Sequence, residues 1–350
     1  MTTFPFTIGV EIELPLVDQS GAVLSGDRLV SVWSSMFKGA QNAIKSAVTQ
    51  ASNEIQRKVK GITVKNKNRH GKKIEYVCIQ YEVDGRTIEI DSFGPDPNIS
   101  QITWILELVT PPCKSPEELL WWISTLSKAA RQNLPKDINI IPIGFLPSEK
   151  EYRSGVTFSN HIHIGIPDET QKYKIYNLFR IFIPHLIALS VNSPFINEMP
   201  IGDVKIKDDR SSPILIISNN SPRSIRLLNN KGQLGPVDKD KYIPYLHSGS
   251  AAQLRKYFDQ KVQRMEPDDR YCDVFPFTPY GTIEIRVFDC QPSALRLVGL
   301  CCLIQMLAEK ALKLRTIPNV KGESIVANRE KAVEYGLFGK FFEDESFNEP

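Results

Sequence analysis

Four short stretches of this chain set acids, imidazoles or a guanidinium two residues apart, the spacing at which side chains on a strand share a face. In Gly9-Val10-Glu11-Ile12-Glu13 the two acids project together, roughly 6.5–7 Å apart along the strand, while Val10, Ile12 and Leu14 turn toward a core. Parallel carboxylates repel, and magnesium, which prefers oxygen ligands, would remove the repulsion; a solvated face is the bland alternative. In Ile105-Leu106-Glu107-Leu108-Val109 the acid lies between apolar neighbours, where an ionised carboxylate is costly without a cation or a partner arginine. Asn160-His161-Ile162-His163-Ile164-Gly165 puts two of the five histidines on one face. With acids elsewhere and no cysteine near by, one imidazole in a hard-metal site fits better than zinc. In Gly281-Thr282-Ile283-Glu284-Ile285-Arg286-Val287, Glu284 and Arg286 point the same way. They form either an ion pair along the strand or a metal ligand beside a guanidinium that stabilises charge on a transferred phosphoryl group. Each pattern is common alone; all four repeat one device, apolar toward the core and chemically active on the other side, and together they suggest one lined cavity.

The elements that would position these residues are legible as periodicity. Ile8 to Asp18 alternates as a half-buried strand. Residues 29–60 carry Leu29, Val32, Met36, Ala40, Ile44 and Val48 at helical spacing, predicting an amphipathic helix that runs into a basic stretch. Ile74–Val83, Asp84-Gly85 and Arg86–Ile90 predict a hairpin, because Asp-Gly accepts the positive φ of a type I′ turn. A strand over 102–109 ends at Pro111-Pro112, and Ser115-Pro116-Glu117-Glu118 opens a helix toward Asn133. A strand at 158–166, helices at 171–191 and 251–264, a strand at 281–288 and an apolar helix at 293–314 complete the reading. Strands and helices do not alternate strictly, so an α+β domain is expected rather than a doubly wound one.

Bulk composition excludes several classes. The 350 residues carry 43 Lys+Arg against 40 Asp+Glu, a net charge of +3, too small to argue for a nucleic-acid or membrane partner. The charge is uneven, with eight bases against one acid between Glu54 and Lys73, a basic insertion at about 54–73 that reads as a solvated loop and helix end. The six cysteines form no C-x-x-C pair, hence neither a disulfide framework nor a zinc site. No signal-peptide pattern opens the chain and no apolar run reaches membrane-spanning length. The expectation is one soluble, cytoplasmic domain over residues 1–350, with a C-terminal tail from about 331.

GVEIELPLVD, ILELVTPPCKSPEEL, NHIHIGIPD, SVNSPF and YGTIEIRVFDCQPSALRLVGL occur in this order between residues 8 and 300. The set resembles the glutamate-cysteine ligase family of carboxylate-amine ligases, itself similar to glutamine synthetase. The resemblance implies a curved, mainly antiparallel sheet with helices on its outer face, of the glutamine synthetase and guanido kinase kind, cupping ATP and two or three Mg²⁺ or Mn²⁺ ions. It implies Glu11, Glu13, Glu107, His161 and Glu284 as metal ligands, and His163 and Arg286 toward the nucleotide. It further implies catalytic roles for Arg286 and Glu284 and a substrate-binding role for Arg226 in SIRLLNNKG. Two departures stand out. Glu11-Ile12-Glu13 replaces a commoner E-E-E and keeps both same-face acids. Asp273-Val274-Phe275-Pro276 stands where related sequences often read Asp-Ile-Arg-Pro, so an arginine is missing.

The implied reaction is ATP-dependent amide formation, of γ-glutamyl type, through an acyl phosphate with release of ADP and phosphate. ATP and small amino-acid or amine substrates are the expected partners, with neither membrane nor nucleic acid, and self-association is left open. A noncatalytic Mg-nucleotide-binding relative with a regulatory or structural role is the alternative. A guanidino kinase would suit the fold but not these motifs.

Overall fold

The structure, a computed structural model, describes residues 3–69, 72–96, 103–148, 157–193, 273–276 and 278–341, with short stretches at 195–196, 199–200, 204–207, 214–217, 223–224, 226–227 and 245. The chain divides into two compact units. The first comprises Met1–Pro142, Asn160–Gly165 and Pro292–Cys302; the second comprises Ile143–Ser159, Ile166–Gln291 and Leu303–Pro350.

The first unit is built on an antiparallel sheet. Its strands are β1 (Thr7–Asp18), β2 (Val59–Arg69), β3 (Lys72–Val83), β4 (Arg86–Pro95), β5 (Ile105–Val109), β6 (Ile138–Ile140) and β7 (Ser159–Gly165). They lie in the order β7-β1-β5-β4-β3-β2, with β6 on the far end of β1. The expected hairpin is present: Asp84 and Gly85 both take positive φ, 50° and 76°, as a type I′ turn between β3 and β4 requires. Helices α1 (Gly26–Thr49) and α3 (Pro116–Asn133) pack on each other, α1 against β2, β3 and β4 and α3 against β5. The α3 start follows its sequence, with Ser115 capping the Glu118 N–H at 3.1 Å and Pro116 in the first turn.

Tyr81 identifies the helix side of this sheet. Its ring meets Trp122 of α3 edge-on, centroids 5.9 Å apart, and its hydroxyl donates to buried Glu118. By strand alternation Val77 and Ile79 share that side, and by register so do Phe93, Leu108, Ile12 and Ile162. All six are buried, and they form the core between sheet and helices.

The continuous helix expected over 29–60 is corrected. The chain forms α1, a short α2 (Asn53–Lys58) started by the Ser52 cap, and then the strand β2. Ile62, Thr63 and Val64 supply β-branched residues at the change of period, and nine further pairings to β3 fix it, from Gly61↔Gln80 to Arg69↔Lys72, after a shift in register at Val59/Gly61. The lysines of this stretch face acids: Lys60 pairs with Glu82 at 2.7 Å, Lys67 with Asp91 at 2.5 Å, Lys65 with Glu89, and Lys58 of α2 with Glu54 and Glu118 at 2.8 Å each.

In the second unit α4 (Glu169–Ser190) is capped by Asp168, which accepts the Thr170 N–H at 2.7 Å. It is buried on nearly every side and packs on β12 (Val274–Phe275) and β13 (Thr282–Asp289), an antiparallel pair. Short strands pair as β8 (Phe195–Ile196) with β9 (Met199–Pro200), and β10 (Val204–Lys207) with β11 (Ile214–Ile217). Helix α5 (Ala294–Lys313) is shared between the units, and α6 (Gly322–Tyr335) packs on α4. The expected tail from about 331 thus begins as the last turn of α6. The helix expected at 251–264 lies outside the described residues. Among the described residues no helix is long and apolar enough to cross a membrane.

Candidate functional site

The residues chosen from sequence fall into two groups, one in each unit. In the first unit the register of three adjacent strands decides their placement. Glu13 of β1 lies directly across from Glu107 of β5, Glu11 across from His161 of β7, and Gly9 across from His163. Direct partners in an antiparallel pair share a face, as do residues two apart on one strand. Glu11, Glu13, Glu107, His161 and His163 therefore occupy one face of β5-β1-β7, opposite the side bearing Ile12, Leu108 and Ile162.

The environment is that of a built site rather than a solvated surface. Glu13 and Glu107 are each 8% exposed and His161 3%. His161 Nδ1 lies 2.7 Å from Glu11 Oε2, and because a carboxylate only accepts, Nδ1 carries the proton. His163 Nε2 is 3.2 Å from Glu11 Oε1. Burial would push the Glu11 carboxyl up, but His163 and His161 outweigh it and hold it well below the ordinary carboxylate range. Glu11 is thus ionised at neutral pH.

Two glycines shape this face. A Cβ at Gly94, which lies across from Glu107, would sit 2.3 Å from Tyr76 Cδ1, so the Tyr76 ring rests directly on the backbone next to Glu107. Gly165 lies across from Thr7, whose hydroxyl fills the space a Cβ would take, at 2.3 Å.

In the second unit Glu284 and Arg286 of β13 are in contact, Arg286 Nη1 donating to Glu284 Oε1. Phe275, at the position of the missing arginine, lies directly across from Glu284 and is 8% exposed. Arg226 is 6% exposed. Its Nε donates to Asp289 Oδ1 at 2.8 Å, and both terminal nitrogens reach the Arg286 carbonyl, at 3.4 and 3.5 Å.

Sequence reading gave no role to Asp289, although it closes the most specific stretch. It is fully buried and accepts four bonds: from Arg226, from Ser224 at 3.0 Å, from Ser193 at 2.7 Å and from the Asn192 N–H at 2.8 Å. The one available signal was an acid directly after a continuous apolar strand end, Val287-Phe288-Asp289. Its partners are 63 to 97 residues away, beyond the reach of any local pattern.

A model of the glutamate-cysteine ligase family 2 matches residues 148–202. A relative from Paraburkholderia phytofirmans, provisionally named glutamate-cysteine ligase 2, is 27% identical over 186 residues, 52% of this chain and 44% of its own length. One from Roseiflexus castenholzii with the same provisional name is 29% identical over 194 residues, 53% and 44%. The matches thus span less than half the length of these curated relatives. Among solved structures, the glutamate-cysteine ligase of Francisella tularensis in complex with AMP superposes with a TM-score of 0.53 at 14% identity, covering 95% of this chain and 72% of that one. A bifunctional glutathione synthetase from Pasteurella multocida gives 0.50 at 16%, covering 95% and 40%. The resemblance seen in five short motifs therefore holds on independent grounds, and the chain is similar to the glutamate-cysteine ligase family 2 in sequence and shares its fold with a glutamate-cysteine ligase.

Proposed function

We propose that this chain is an ATP-dependent carboxylate-amine ligase of the glutamate-cysteine ligase kind, with both units forming one catalytic domain. The observation that carries the reading is the convergence of three acids and two imidazoles on one face of β5-β1-β7, with Glu13 across from Glu107 and Glu11 across from His161. Glu13 and Glu107, nearly buried and directly across from each other, offer carboxylate oxygens of the kind a hard cation takes as ligands.

The donor set fits a hard divalent cation, since carboxylate oxygens and one imidazole suit Mg²⁺ or Mn²⁺ and no thiolate is among them. Glu11, Glu13, Glu107 and His161 of the first unit would hold it, and Glu284 of β13 keeps the metal-ligand role that the resemblance implies. Bound there, such ions would neutralise the β- and γ-phosphates of ATP. Arg286 would offset charge on the γ-phosphoryl group in transfer, and His163 would face the nucleotide. The substrate carboxylate forms a bond to the γ-phosphorus as the bond to ADP breaks. The amine then forms the amide by displacing phosphate from the acyl phosphate and losing a proton. Arg226, read from the resemblance as a substrate contact, remains in the proposal as a residue next to Arg286. Phe275 beside Glu284 sets aromatic carbon where a cation was expected, so acids without a second charge belong among the substrates to be tried.

The limited span of the curated relatives that is matched makes a noncatalytic Mg-nucleotide-binding relative the second reading. Incubation with ATP, Mg²⁺ and a panel of carboxylate and amine pairs separates the two, since binding alone forbids ADP formation with any pair. In the ligase reading Glu284→Gln abolishes amine-dependent ADP release and leaves the circular dichroism spectrum intact. Full turnover by that variant would overturn the assignment of Glu284.

A further inference from the structure

The Arg286 peptide is held on both sides by residues that belong to buried ion pairs. Its N–H donates to the Asp273 carbonyl at 2.9 Å, and the Asp273 side chain takes Arg329 of α6 in a fork, Nε at 2.7 Å and Nη2 at 3.3 Å. Its carbonyl faces both terminal nitrogens of Arg226, whose Nε is bound by Asp289. Asp273, Asp289, Arg226 and Arg329 are all 8% exposed or less.

Asp289 does more than neutralise Arg226. Its two oxygens gather the Asn192 N–H, the Ser193 and Ser224 hydroxyls and the Arg226 Nε, so two separate segments, 192–193 and 224–226, close on the end of β13. Gly144 presses on the same carboxylate, since a Cβ there would lie 2.4 Å from Asp289 Cγ. A buried pair of this kind is a weak source of net stability, because apolar residues of similar volume often serve as well. What it does supply is a fixed geometry, as every acceptor position of the carboxylate is committed.

We propose that Arg226 and Asp289 are a positioning pair that sets the Arg286 backbone, and through it the Glu284–Arg286 face, rather than a substrate-binding group. This rests on the proposed ligase reading and assigns Arg226 a task that reading leaves open. Arg226 has its Nε and both terminal nitrogens turned to Asp289 and to β13, and its guanidinium serves the site through the main chain.

Arg226→Lys tests it, because lysine keeps a cation for Asp289 but lacks the fork that reaches the Arg286 carbonyl. The expected result is a thermal midpoint near that of the wild type, a kcat lowered at least tenfold and a KM for the carboxylate within about threefold. A KM raised tenfold with kcat retained would make Arg226 a substrate contact and overturn the proposal. If the lysine variant does not fold, the Asp289→Asn, Arg226→Met double variant leaves no unpaired buried charge and is read by the same criteria. Amide exchange needs no turnover: at 284–288 it should rise at least tenfold in Arg226→Lys while α4 stays protected, and unchanged exchange there overturns the clamp. A wild-type chain that forms no ADP with any substrate pair sinks the ligase reading alone, and the exchange measurement still decides this one.

Discussion

At the scale of one residue, the proposed metal-ligand role of Glu107 makes a prediction about stability. Glu107 lies directly across from Glu13 and is as little exposed, so two carboxyl groups face each other there. Like charges directly opposite on neighbouring strands cost a few tenths to about 1 kcal/mol. In the proposed reading Glu107→Gln is therefore expected to raise the metal-free thermal midpoint by about 1–2 °C and to remove the further rise that Mg²⁺ should give the wild type. Thermal unfolding with and without Mg²⁺ checks both halves, and a metal-free midpoint that falls by several degrees would mean that protein groups stabilise the Glu107 charge. The shared face of Glu11, Glu13, Glu107, His161 and His163 could be read from sequence because strand alternation is local and each motif carries its own apolar marker. Asp289 could not be, because its meaning lies in hydroxyls and an arginine from other segments.

At the scale of elements, the stretch after Asn53 is where sequence reading erred. Lysines at 58, 60, 65 and 67 read as a solvated charge run, but each answers an acid contributed by β3, β4 or a helix. A charge pattern seen without its partner strand cannot be told from a loop, and the helical period of α1 then appears to run on. Lys58 is the most buried of the four. Burial would lower the pKa of its ammonium, but hydrogen bonds to Glu118 and Glu54 outweigh it and raise the group above its ordinary 10.5. The stability it contributes is fully present below pH 10.5 and is lost as pH rises through the raised value. Lys58→Met should thus cost about 1–3 kcal/mol at pH 7, through the acceptor left on buried Glu118, and the deficit should narrow only above pH 10.5. Urea unfolding at pH 7 and in strong alkali measures it; an equal deficit at both would trace the cost to packing alone.

For the molecule as a whole, the packing predicts an order of thiol reactivity. Burial, with Asp91 beside it, pushes the Cys78 thiol up to about 12, and burial raises Cys113 and Cys301 well above the ordinary value. Cys290 is buried as well, and among the described cysteines only Cys302 is partly exposed. Cys272 lies outside the described residues. In a Cys272→Ser chain, iodoacetamide at pH 8 should therefore modify Cys302 first, and the other four only after unfolding, as peptide mass spectrometry would record. Early modification of Cys78 or Cys113 would contradict the sheet packing. The α+β class and the order of the main elements were open to sequence reading because period and turn chemistry are written locally. The division into two compact units was not, because it depends on contacts between distant stretches.

Among the described residues β2 is the outermost strand of the first unit's sheet, and that position has a last consequence. An unpaired strand border invites another molecule to add a strand of its own and begin a fibre, and lysine is a common natural deterrent. Lys60, Lys65 and Lys67 stud this border, and the Ile62 carbonyl is already occupied by Gln41 Nε2 at 3.0 Å. A second copy approaching edge to edge would meet its own charges. The same lysines that answer acids within the sheet should thereby keep concentrated protein dispersed, and a chain with threonine at all three positions should scatter light at concentrations where it still keeps its fold.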